Sequence, residues 1–299
     1  MITATDLLHQ TDLSSTTAIV TGGYSGLGLE TTRALSAAGA TVIVPARRPD
    51  VAATALAGVA RVEIASLDLA DLASVREFAA SVVDAGRPIH LLINNAGIMA
   101  APETRIGPGW ESQFAINHLG PFALTTQLWP ALAAQGARVV TVASGVSGIQ
   151  WDDVQFERGY DKWTAYLQSK TANRLFALEL DRRGAAHGVR SFSVAPGYIL
   201  TPLQRHLALS EMVEAGWIDE NGDQLDPSFR TPAQGAVPTL FAATATDLAG
   251  GQHIEWSDGD DSPVIAPLTD SVTVADASRL WDLSVELTGA GASVPAWVS

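Results

Sequence analysis

Short runs of β-forming residues alternate with longer helical stretches through most of the chain. Each short run is rich in Val or Ile and has too few residues for a helix, so we interpret each as a buried strand. The predicted strands span residues 17–20, 41–44, 61–64, 89–93, 138–142 and 190–194, with a last strand at 252–256. The predicted helices span residues 26–38, 74–84, 113–134, 166–186 and 275–287.

This alternation predicts right-handed βαβ crossovers and a parallel sheet with helices on both faces. The fold class is therefore α/β, in the doubly wound arrangement whose ligand crevice lies at the carboxyl ends of the strands. We find no internal repeat or low-complexity linker, and we predict a single domain over residues 1–299. Residues 202–230 mix acidic, apolar and turn residues, which predicts an inserted helix and loop. Thr231 and Pro232 then predict the start of a helix, and residues 257–299 form a C-terminal extension.

Composition excludes several kinds of function. The 18 basic and 32 acidic residues give a formal net charge of −14, whereas a protein that binds nucleic acid needs a basic surface. The absence of cysteine excludes disulfides, zinc–thiolate sites, iron–sulfur clusters and thiol nucleophiles. The six histidines lack the spacing of metal ligands, and the acidic run at 257–261 lacks the closing glutamate of a calcium loop. We therefore predict no metal site.

Signals for export or membrane insertion are also not found. Residues 1–15 contain no Lys or Arg, whereas a secretory signal begins with a basic segment. No run of about 18 apolar residues predicts a membrane span. We therefore expect a soluble cytoplasmic protein with no membrane partner.

A glycine-rich turn follows the first predicted strand and opens the first predicted helix. Glycine lets the backbone turn sharply and approach a pyrophosphate, whose charge is stabilised by the free N–H groups at the start of the helix. The glycine spacing is GxxxGxG, not the GxGxxG of the commonest dinucleotide-binding pattern. The predicted cofactor-binding residues of this turn are Gly22, Tyr24, Ser25, Gly26, Leu27 and Gly28.

Three further groups of residues follow predicted strands and so meet the same edge of the sheet. Arg47 and Arg48 follow the second strand, where an acidic residue suits ribose hydroxyls and an arginine suits a 2′-phosphate. We therefore favour NADP over NAD, and a solvated surface pair is the alternative. Asp68 and Leu69 follow the third strand, where an aspartate can accept from an adenine amino group. The fourth strand ends in the turn NNAG at 94–97, and Asn side chains also stabilise turns that bind no ligand. The predicted cofactor contacts in this turn are Asn95, Ala96 and Gly97.

Tyr166 and Lys170 are four residues apart, which places their side chains on one face of a helix. A tyrosine with an ordinary pKa, near 10, is a poor base at neutral pH, and a nearby cation lowers that pKa. Ser144 follows the fifth strand, where its hydroxyl can donate to a substrate carbonyl oxygen. Asn117 lies in the long predicted helix before it, where its carboxamide can hold a water that connects Lys170 to solvent. A Tyr/Lys pair alone is common on exposed helices, but together with the glycine turn and Ser144 it predicts a catalytic site.

With these motifs the chain resembles the short-chain dehydrogenase/reductase family over about residues 15–256. The matching elements are TGGYSGLG at 21–28, DL at 68–69, NNAG at 94–97, Asn117, Ser144, YLQSK at 166–170, and Pro196-Gly197 followed by Thr201. The sequence from Arg279 to Gly289 resembles the branch of retinol dehydrogenases and WW-domain oxidoreductases, although no WW domain is present. The light-driven protochlorophyllide reductases that resemble this branch depend on a cysteine, which this chain lacks.

The resemblance implies a Rossmann fold that binds NADP or NAD and a catalytic tetrad. The implied tetrad is Asn117, Ser144, Tyr166 and Lys170. The resemblance also implies that Pro196, Gly197 and Thr201 contact the cofactor, with Thr201 on the nicotinamide carboxamide. Members of the family are often homodimers or homotetramers built through the helices that precede and contain the Tyr/Lys pair, and the number of subunits in this protein stays open.

The predicted function is hydride transfer between a nicotinamide and a secondary alcohol or ketone, as in a short-chain alcohol dehydrogenase or ketoreductase. The insertion at 151–163 and a substrate lid at 202–230 are rich in large apolar residues, which favours a bulky apolar substrate, although packing within a loop gives the same pattern. The aromatic residues of the insertion are Trp151, Phe156, Tyr160 and Trp163, and the lid contributes Leu203, Leu207, Leu209, Met212, Trp217 and Phe229. Two alternatives are a catalytically silent dinucleotide-binding sensor or scaffold and an epimerase or dehydratase of related fold.

Overall fold

Eight strands form one sheet in the computed structural model of the protein, which describes residues 2–257, 262–267, 269–291 and 294–295. The strands in these ranges are β1 (Thr17–Val20), β2 (Thr41–Ala46), β3 (Val62–Ser66), β4 (Leu91–Asn94), β5 (Arg105–Ile106), β6 (Trp110–Glu111), β7 (Arg138–Val142), β8 (Arg190–Val194), β9 (His253–Trp256) and β10 (Pro263–Ala266). β5 and β6 form a separate antiparallel hairpin.

The order of the strands across the sheet is β10-β9-β8-β7-β4-β1-β2-β3. All neighbours from β9 to β3 are parallel. The chain runs from β1 to β2 and β3 on one side, and from β4 to β7, β8 and β9 on the other. The carboxyl ends of β1 and β4 therefore form the switch point at which an open α/β sheet binds its ligand. The predicted doubly wound α/β fold is confirmed.

Helices cover both faces of the sheet. Their bounds are α1 (Ala4–Leu8), α2 (Gly26–Ala37), α3 (Pro49–Ala55), α4 (Leu72–Asp84), α5 (Ser112–Phe114), α6 (Gly120–Gln127), α7 (Trp129–Ala133), α8 (Lys162–Gly184), α9 (Leu209–Glu214), α10 (Pro232–Gly235), α11 (Val237–Thr244) and α12 (Val274–Thr288). Ile19 and Leu92 belong to the core beneath α4, α6 and α8, whereas Ala18, Val20 and Leu91 belong to the core beneath α2 and α11. Because both faces are buried, β1 and β4 consist of nearly continuous apolar residues.

The two outer strands of the sheet differ from the sequence prediction. β10 runs antiparallel to β9 and was not predicted, so the sheet is mostly parallel. β3 lies at the other edge with β2 as its neighbour, and its Glu63, Ile64 and Ser66 are exposed. The prediction of a buried strand is therefore wrong for this run. The acidic residues 258–261, which we interpreted as a solvated turn, lie outside the described residues.

The predicted helix at 113–134 is divided into α5, a π-helical segment at Ala115–Leu119, α6 and α7. Pro121 has no N–H to donate to the carbonyl of Asn117 four residues earlier. In the segment before it, the N–H of Gly120 bonds the carbonyl of Ala115 five residues earlier, as in a π-helix. Pro130 lies in the first turn of α7, where its missing N–H is tolerated. The prolines therefore explain why one continuous helix was a wrong prediction.

Two helices, α8 and α12, were predicted with small errors in their bounds. α8 begins at Lys162 and not at Tyr166, because the Asp161 side chain accepts from the N–H of Thr164 at 2.8 Å and caps the helix. Thr231 caps α10 and Pro232 is in its first turn, as predicted. α12 packs along α8, where Trp281 stacks on Phe176 with ring centroids 6.1 Å apart. α12 therefore covers part of the helix that holds Tyr166 and Lys170.

Candidate active site

The glycine turn between β1 and α2 lies at the switch point of the sheet. Gly22 and Gly26 have positive φ angles of 65° and 52°, a backbone conformation that favours glycine. A Cβ atom on Gly28 would collide with the carbonyl of Gly22, so a larger residue does not fit there. Gly28 therefore packs directly against Gly22 inside the turn. Tyr24, Ser25 and Gly26 line a cavity.

The end of β4 is tied to the start of the glycine turn. The hydroxyl oxygen of Thr21 accepts hydrogen bonds from the backbone N–H groups of Asn95 and Ala96, each at 3.0 Å. The Asn95 side-chain amide donates to the carbonyl of Thr21 at 2.8 Å. These bonds hold the turn after β4 against the turn after β1, so one rigid wall is built from both.

A cavity of about 640 Å³ opens at this edge of the sheet, a volume in the usual range for small-molecule sites. Most of the predicted site residues line it. They are Gly22, Tyr24, Ser25, Gly26, Leu27, Arg47, Arg48, Asn95, Ala96, Gly97, Ser144, Tyr166, Lys170, Pro196, Gly197 and Thr201.

Four predicted site residues do not belong to the described lining of this cavity. Gly28 lies inside the glycine turn, and Asn117 is buried behind the wall. The carboxylate of Asp68 accepts from the N–H of Ala70 at 2.9 Å, and Leu69 is buried against Gly120. A contact of Asp68 or Leu69 with a bound ligand therefore stays a prediction.

Tyr166 and Ser144 meet at the wall of the cavity. Tyr166 projects from the first turns of α8 and is 7% exposed. Ser144 follows β7, and its side chain lines the same cavity. Burial raises the pKa of Tyr166 to about 12, and the nearby Ser144 hydroxyl opposes that rise. The phenol is therefore protonated at neutral pH. The lowered pKa expected from the sequence is wrong for this structure, because burial is the larger effect.

Lys170 lies one helical turn after Tyr166 and is 3% exposed. Its ammonium donates to the carbonyl of Val142 at 3.0 Å and is 5.8 Å from the centroid of the Tyr166 ring. Burial lowers the pKa of Lys170 to about 8. The charge therefore lies near the phenol, as the four-residue spacing predicted, but it is itself poorly solvated.

Asn117 connects the turn after β4 with α8. Its side-chain oxygen accepts from the N–H of Ile98 at 2.8 Å, and its amide donates to the carbonyl of Ile98 and to the hydroxyl of Ser169, each at 2.9 Å. A Cβ atom on Gly97 would lie 3.0 Å from the Asn117 oxygen and 3.7 Å from the Lys170 nitrogen. Asn117 and Lys170 thus border the same glycine, and the role of Asn117 in holding a relay water stays a prediction.

Aromatic residues form the wall of the cavity beyond Tyr166. Trp163 and Trp217 pack edge to face with centroids 6.2 Å apart, and Trp217 contacts Phe229 at 5.8 Å. All three line the cavity, together with Leu203. Of the four aromatic residues in the insertion at 151–163, Trp163 alone belongs to the described lining, whereas the Tyr160 hydroxyl donates to the carbonyl of Ala101 at 2.7 Å.

Several residues that line the cavity were not among the predicted site residues, and they include Met99, Tyr198 and Arg205. Arg205 follows Thr201 by four residues in the segment interpreted as a lid. Its charge, in a chain with an excess of acidic residues, was a signal that this segment contributes more than apolar contacts.

A sequence model of short chain dehydrogenases matches residues 16–211. The chain belongs to the short-chain dehydrogenase family. The match contains the glycine turn, Asn117, Ser144, Tyr166 and Lys170. The protein is therefore an oxidoreductase of this family.

Three relatives illustrate the branch of this short-chain dehydrogenase. A probable oxidoreductase of Streptomyces lividans is 42% identical over 94% of this chain and 100% of its own length. The polyprenol dehydrogenase of Mus musculus is 37% identical over 92% of this chain and 84% of its own length. Retinol dehydrogenase 12 of Homo sapiens is 34% identical over 91% and 85%. The protein belongs to the retinol dehydrogenase-like branch, as the sequence analysis predicted.

Solved structures of this family share the fold. A protein from Mycobacterium paratuberculosis aligns with a TM-score of 0.78 and 35% identity, covering 99% of both chains. RhlG of Pseudomonas aeruginosa, solved as an active-site complex with NADP, aligns with a TM-score of 0.65 and 25% identity, covering 83% of this chain and 97% of that one.

No helix in the described ranges is long and apolar enough to cross a membrane. No group of three or more His, Asp or Glu side chains in those ranges is placed to hold a metal ion.

Proposed function

We propose that this short-chain dehydrogenase transfers hydride between NADP or NAD and a secondary alcohol or ketone that is bulky and apolar. The observation that carries the proposal is the convergence of Ser144 and Tyr166 on the wall of one cavity, with Lys170 one turn further along α8. A hydroxyl, a protonated phenol and a buried cation in this arrangement match the needs of a carbonyl oxygen that gains an electron pair and a proton.

The chain offers a site that fits a dinucleotide. The glycine turn presents backbone to the cavity at the start of α2, where N–H groups stabilise a pyrophosphate. Arg47 and Arg48 line the cavity after β2, and no acidic residue occupies positions 44–48. Guanidinium groups at this place favour a 2′-phosphate, and therefore NADP. The NADP complex of the related RhlG supports the same choice.

The bound nicotinamide would supply or take up the hydride. In the direction of reduction, Ser144 donates to the carbonyl oxygen and stabilises the developing negative charge, while Tyr166 gives the oxygen its proton. In the direction of oxidation, Tyr166 accepts the alcohol proton as phenolate, which a cation at Lys170 favours. We assign Lys170 also to the nicotinamide ribose, Thr201 to the carboxamide, and Asn117 to a relay water beside Lys170.

An apolar substrate is supported by the residues that surround the phenol. Tyr166 belongs to a buried cluster with Met99, Ala100 and Leu207, against which Trp163 and Trp217 pack. The segment 202–230 supplies Trp217 and Phe229 to this wall, and we assign it as the substrate lid. The relatives named for polyprenol and retinol carry long apolar alcohols in their names, which supports the apolar character of the substrate.

The experiment is a screen of absorbance at 340 nm with NADP and NAD against bulky apolar ketones and alcohols, beside small and sugar-like ones. We expect turnover with the bulky apolar members and a preference for NADP. Cofactor binding without turnover across the whole panel would instead indicate a silent sensor. A strong preference for NAD would contradict the assignment of Arg47 and Arg48.

A further inference from the structure

A short 3₁₀ turn at Pro202–His206 brings the start of the lid segment next to the glycine turn. The Thr201 side chain caps it by accepting from the N–H of Leu203 at 3.2 Å, and the Gln204 side chain accepts in return from the N–H of Thr201 at 2.9 Å. A Cβ atom on Gly26 would lie 3.3 Å from the Cβ of Thr201. The 3₁₀ turn is therefore held in a fixed position against the predicted phosphate-binding loop.

Arg205 projects from this turn into the same cavity as Tyr24 and Arg47. Its guanidinium donates to the carbonyl of Pro202 at 3.0 Å, which orients the side chain. Partial burial lowers the pKa of Arg205, the positive charge of Arg47 lowers it further, and Tyr24 acts in the opposite direction. Two like charges from elements that are far apart in sequence, one after β2 and one in the lid, thus line the same cavity.

Among the described residues, Arg47 and Arg205 lack the acidic partners that several other arginines have. The chain contains 32 acidic and 18 basic residues, and several exposed arginines, such as Arg33 and Arg87, form ion pairs. Among the described residues, neither Arg47 nor Arg205 has a carboxylate within ion-pair distance. Unpaired like charges that lie near one another repel, and an anion placed between them removes that repulsion.

We propose that Arg205 and Arg47 bind the 2′-phosphate of NADP from two sides, so that a lid residue takes part in the choice between NADP and NAD. This inference rests on the proposed function, which assigns no role to Arg205. The 2′-phosphate has a high negative charge and three acceptor oxygens, which suits two planar guanidinium forks. The pyrophosphate already has the backbone N–H groups of the glycine turn at the start of α2.

The test measures binding of NADP, NAD, adenosine 2′,5′-bisphosphate and 5′-AMP by calorimetry, without a substrate. The variants are Arg205→Ala, Arg205→Lys and Arg47→Ala. Arg87→Ala is the control, because it removes the same charge from the loop before β4. This loop lies at the amino ends of the strands, whereas the cavity lies at their carboxyl ends. We expect Arg205→Ala to weaken NADP and the bisphosphate about 10-fold or more, the effect of a hydrogen bond between charged groups, and to leave NAD and 5′-AMP within about twofold. Arg205→Lys is expected to lie between the wild type and Arg205→Ala, and Arg87→Ala to bind as the wild type does.

Three results would overturn the inference. An equal loss of NADP and NAD affinity would assign Arg205 to the pyrophosphate or to the fold of the turn. Unchanged affinity for NADP would show that Arg205 does not touch the phosphate. A wild-type protein that binds neither dinucleotide would refute the proposed function itself, and this outcome is distinct from the other two because it is seen before any variant is made.

Discussion

The hydroxyl of Ser144, which follows β7, lies near the phenol of Tyr166 in α8 and lowers its pKa. Both groups line one cavity, so a single substrate oxygen placed between them can contact both. The chain brings these two residues together across the insertion at 151–163, in which Tyr160 and Phe156 pack away from the cavity. The first two predictions test the two members of this pair separately.

Replacing Tyr166 with Phe removes the phenolic proton and keeps the ring that packs beside Trp163. We expect kcat to fall at least about 1,000-fold, within the range for loss of a general acid or base, while the Kd for NADP changes less than about twofold. Steady-state kinetics and calorimetric binding measure the two quantities. A variant that keeps most of its activity would show that Tyr166 is not the proton donor. Tyr160→Phe is the matched control, since Tyr160 is a partly buried tyrosine whose hydroxyl bonds the backbone of Ala101.

Replacing Ser144 with Ala removes one donor to the substrate oxygen and the hydroxyl that lowers the pKa of Tyr166. We expect kcat to fall by about 100- to 1,000-fold, as for the loss of an oxyanion donor. Because Ser144 opposes the raising effect of burial, the pKa of Tyr166 should be higher in the variant. The rate of alcohol oxidation, which needs the phenolate, should rise only at higher pH than in the wild type. A profile of kcat/KM against pH that loses activity without this displacement would argue against an effect of Ser144 on the phenol.

The sequence predicted the parts of the fold that repeat a simple pattern. β1, β7 and β8 have the predicted bounds because they are buried runs that end at turns. The edge strand β10 was missed, because four residues after an acidic run give no periodic signal. The division of the predicted helix 113–134 was missed because the apolar residues continue on both sides of Pro121. Local chemistry thus identified the elements, whereas helix breaks and edge strands depend on their tertiary neighbours.

The site was predicted in the same uneven way. Residues on turns after strands were brought together, because parallel strands end at one edge of the sheet. The pKa of Tyr166 was predicted in the wrong direction, since a sequence shows the distance to Lys170 along the helix but not the burial of both side chains. Arg205 was missed because its approach to Arg47 arises from the cap at Thr201, which holds the lid turn in place.

Lys170 is expected to lose its proton near pH 8, well below an ordinary lysine. The sequence contains two lysines, Lys162 and Lys170, so protein labelled with 13C at lysine Cε gives two resonances, and Lys162→Arg assigns them. An NMR titration should show Lys170 titrating at about 8, because burial disfavours its charged form. A midpoint above 10 would contradict a dehydrated ammonium at this position.

The same shift predicts how stability depends on pH. Between about pH 8 and 10.5 the folded protein binds fewer protons at Lys170 than the unfolded chain does. Because the folded-state pKa of Lys170 is lowered, burial of its charged form reduces stability fully below pH 8. This loss of stability is relieved as the pH rises from about 8 to 10.5. We therefore expect Lys170→Met to be more stable than the wild type at pH 7, and to lose this advantage towards pH 10. Urea unfolding at both values measures the difference.

Trp281 is the main contact through which α12 covers α8. Its side chain is 3% exposed, packs edge to face on Phe122 at 5.0 Å, and lies beneath the guanidinium of Arg183 at 4.5 Å. We expect Trp281→Ala to lower the free energy of unfolding by about 3–5 kcal/mol, as for other large buried aromatic residues. The neighbouring exposed Asp282→Ala should change it by less than about 0.5 kcal/mol. Equal effects of the two variants in urea unfolding would show that α12 does not depend on this contact.

Trp217 joins the lid to the wall of the cavity through its contacts with Trp163 and Phe229. A bulky apolar substrate that reaches Tyr166 would bury part of this ring, and burial of apolar area contributes about 25 cal/mol per Å². We expect Trp217→Ala to lower kcat/KM about 10-fold for long apolar ketones and less than about twofold for small ones such as cyclohexanone. Trp217→Phe, which keeps an aromatic ring, should lie close to the wild type. The measurement is kcat/KM across a series of ketones of increasing length at saturating NADPH. If the loss were the same for every length, Trp217 would support the fold of the lid without touching the substrate, and the assignment of this wall to a bulky apolar substrate would fail.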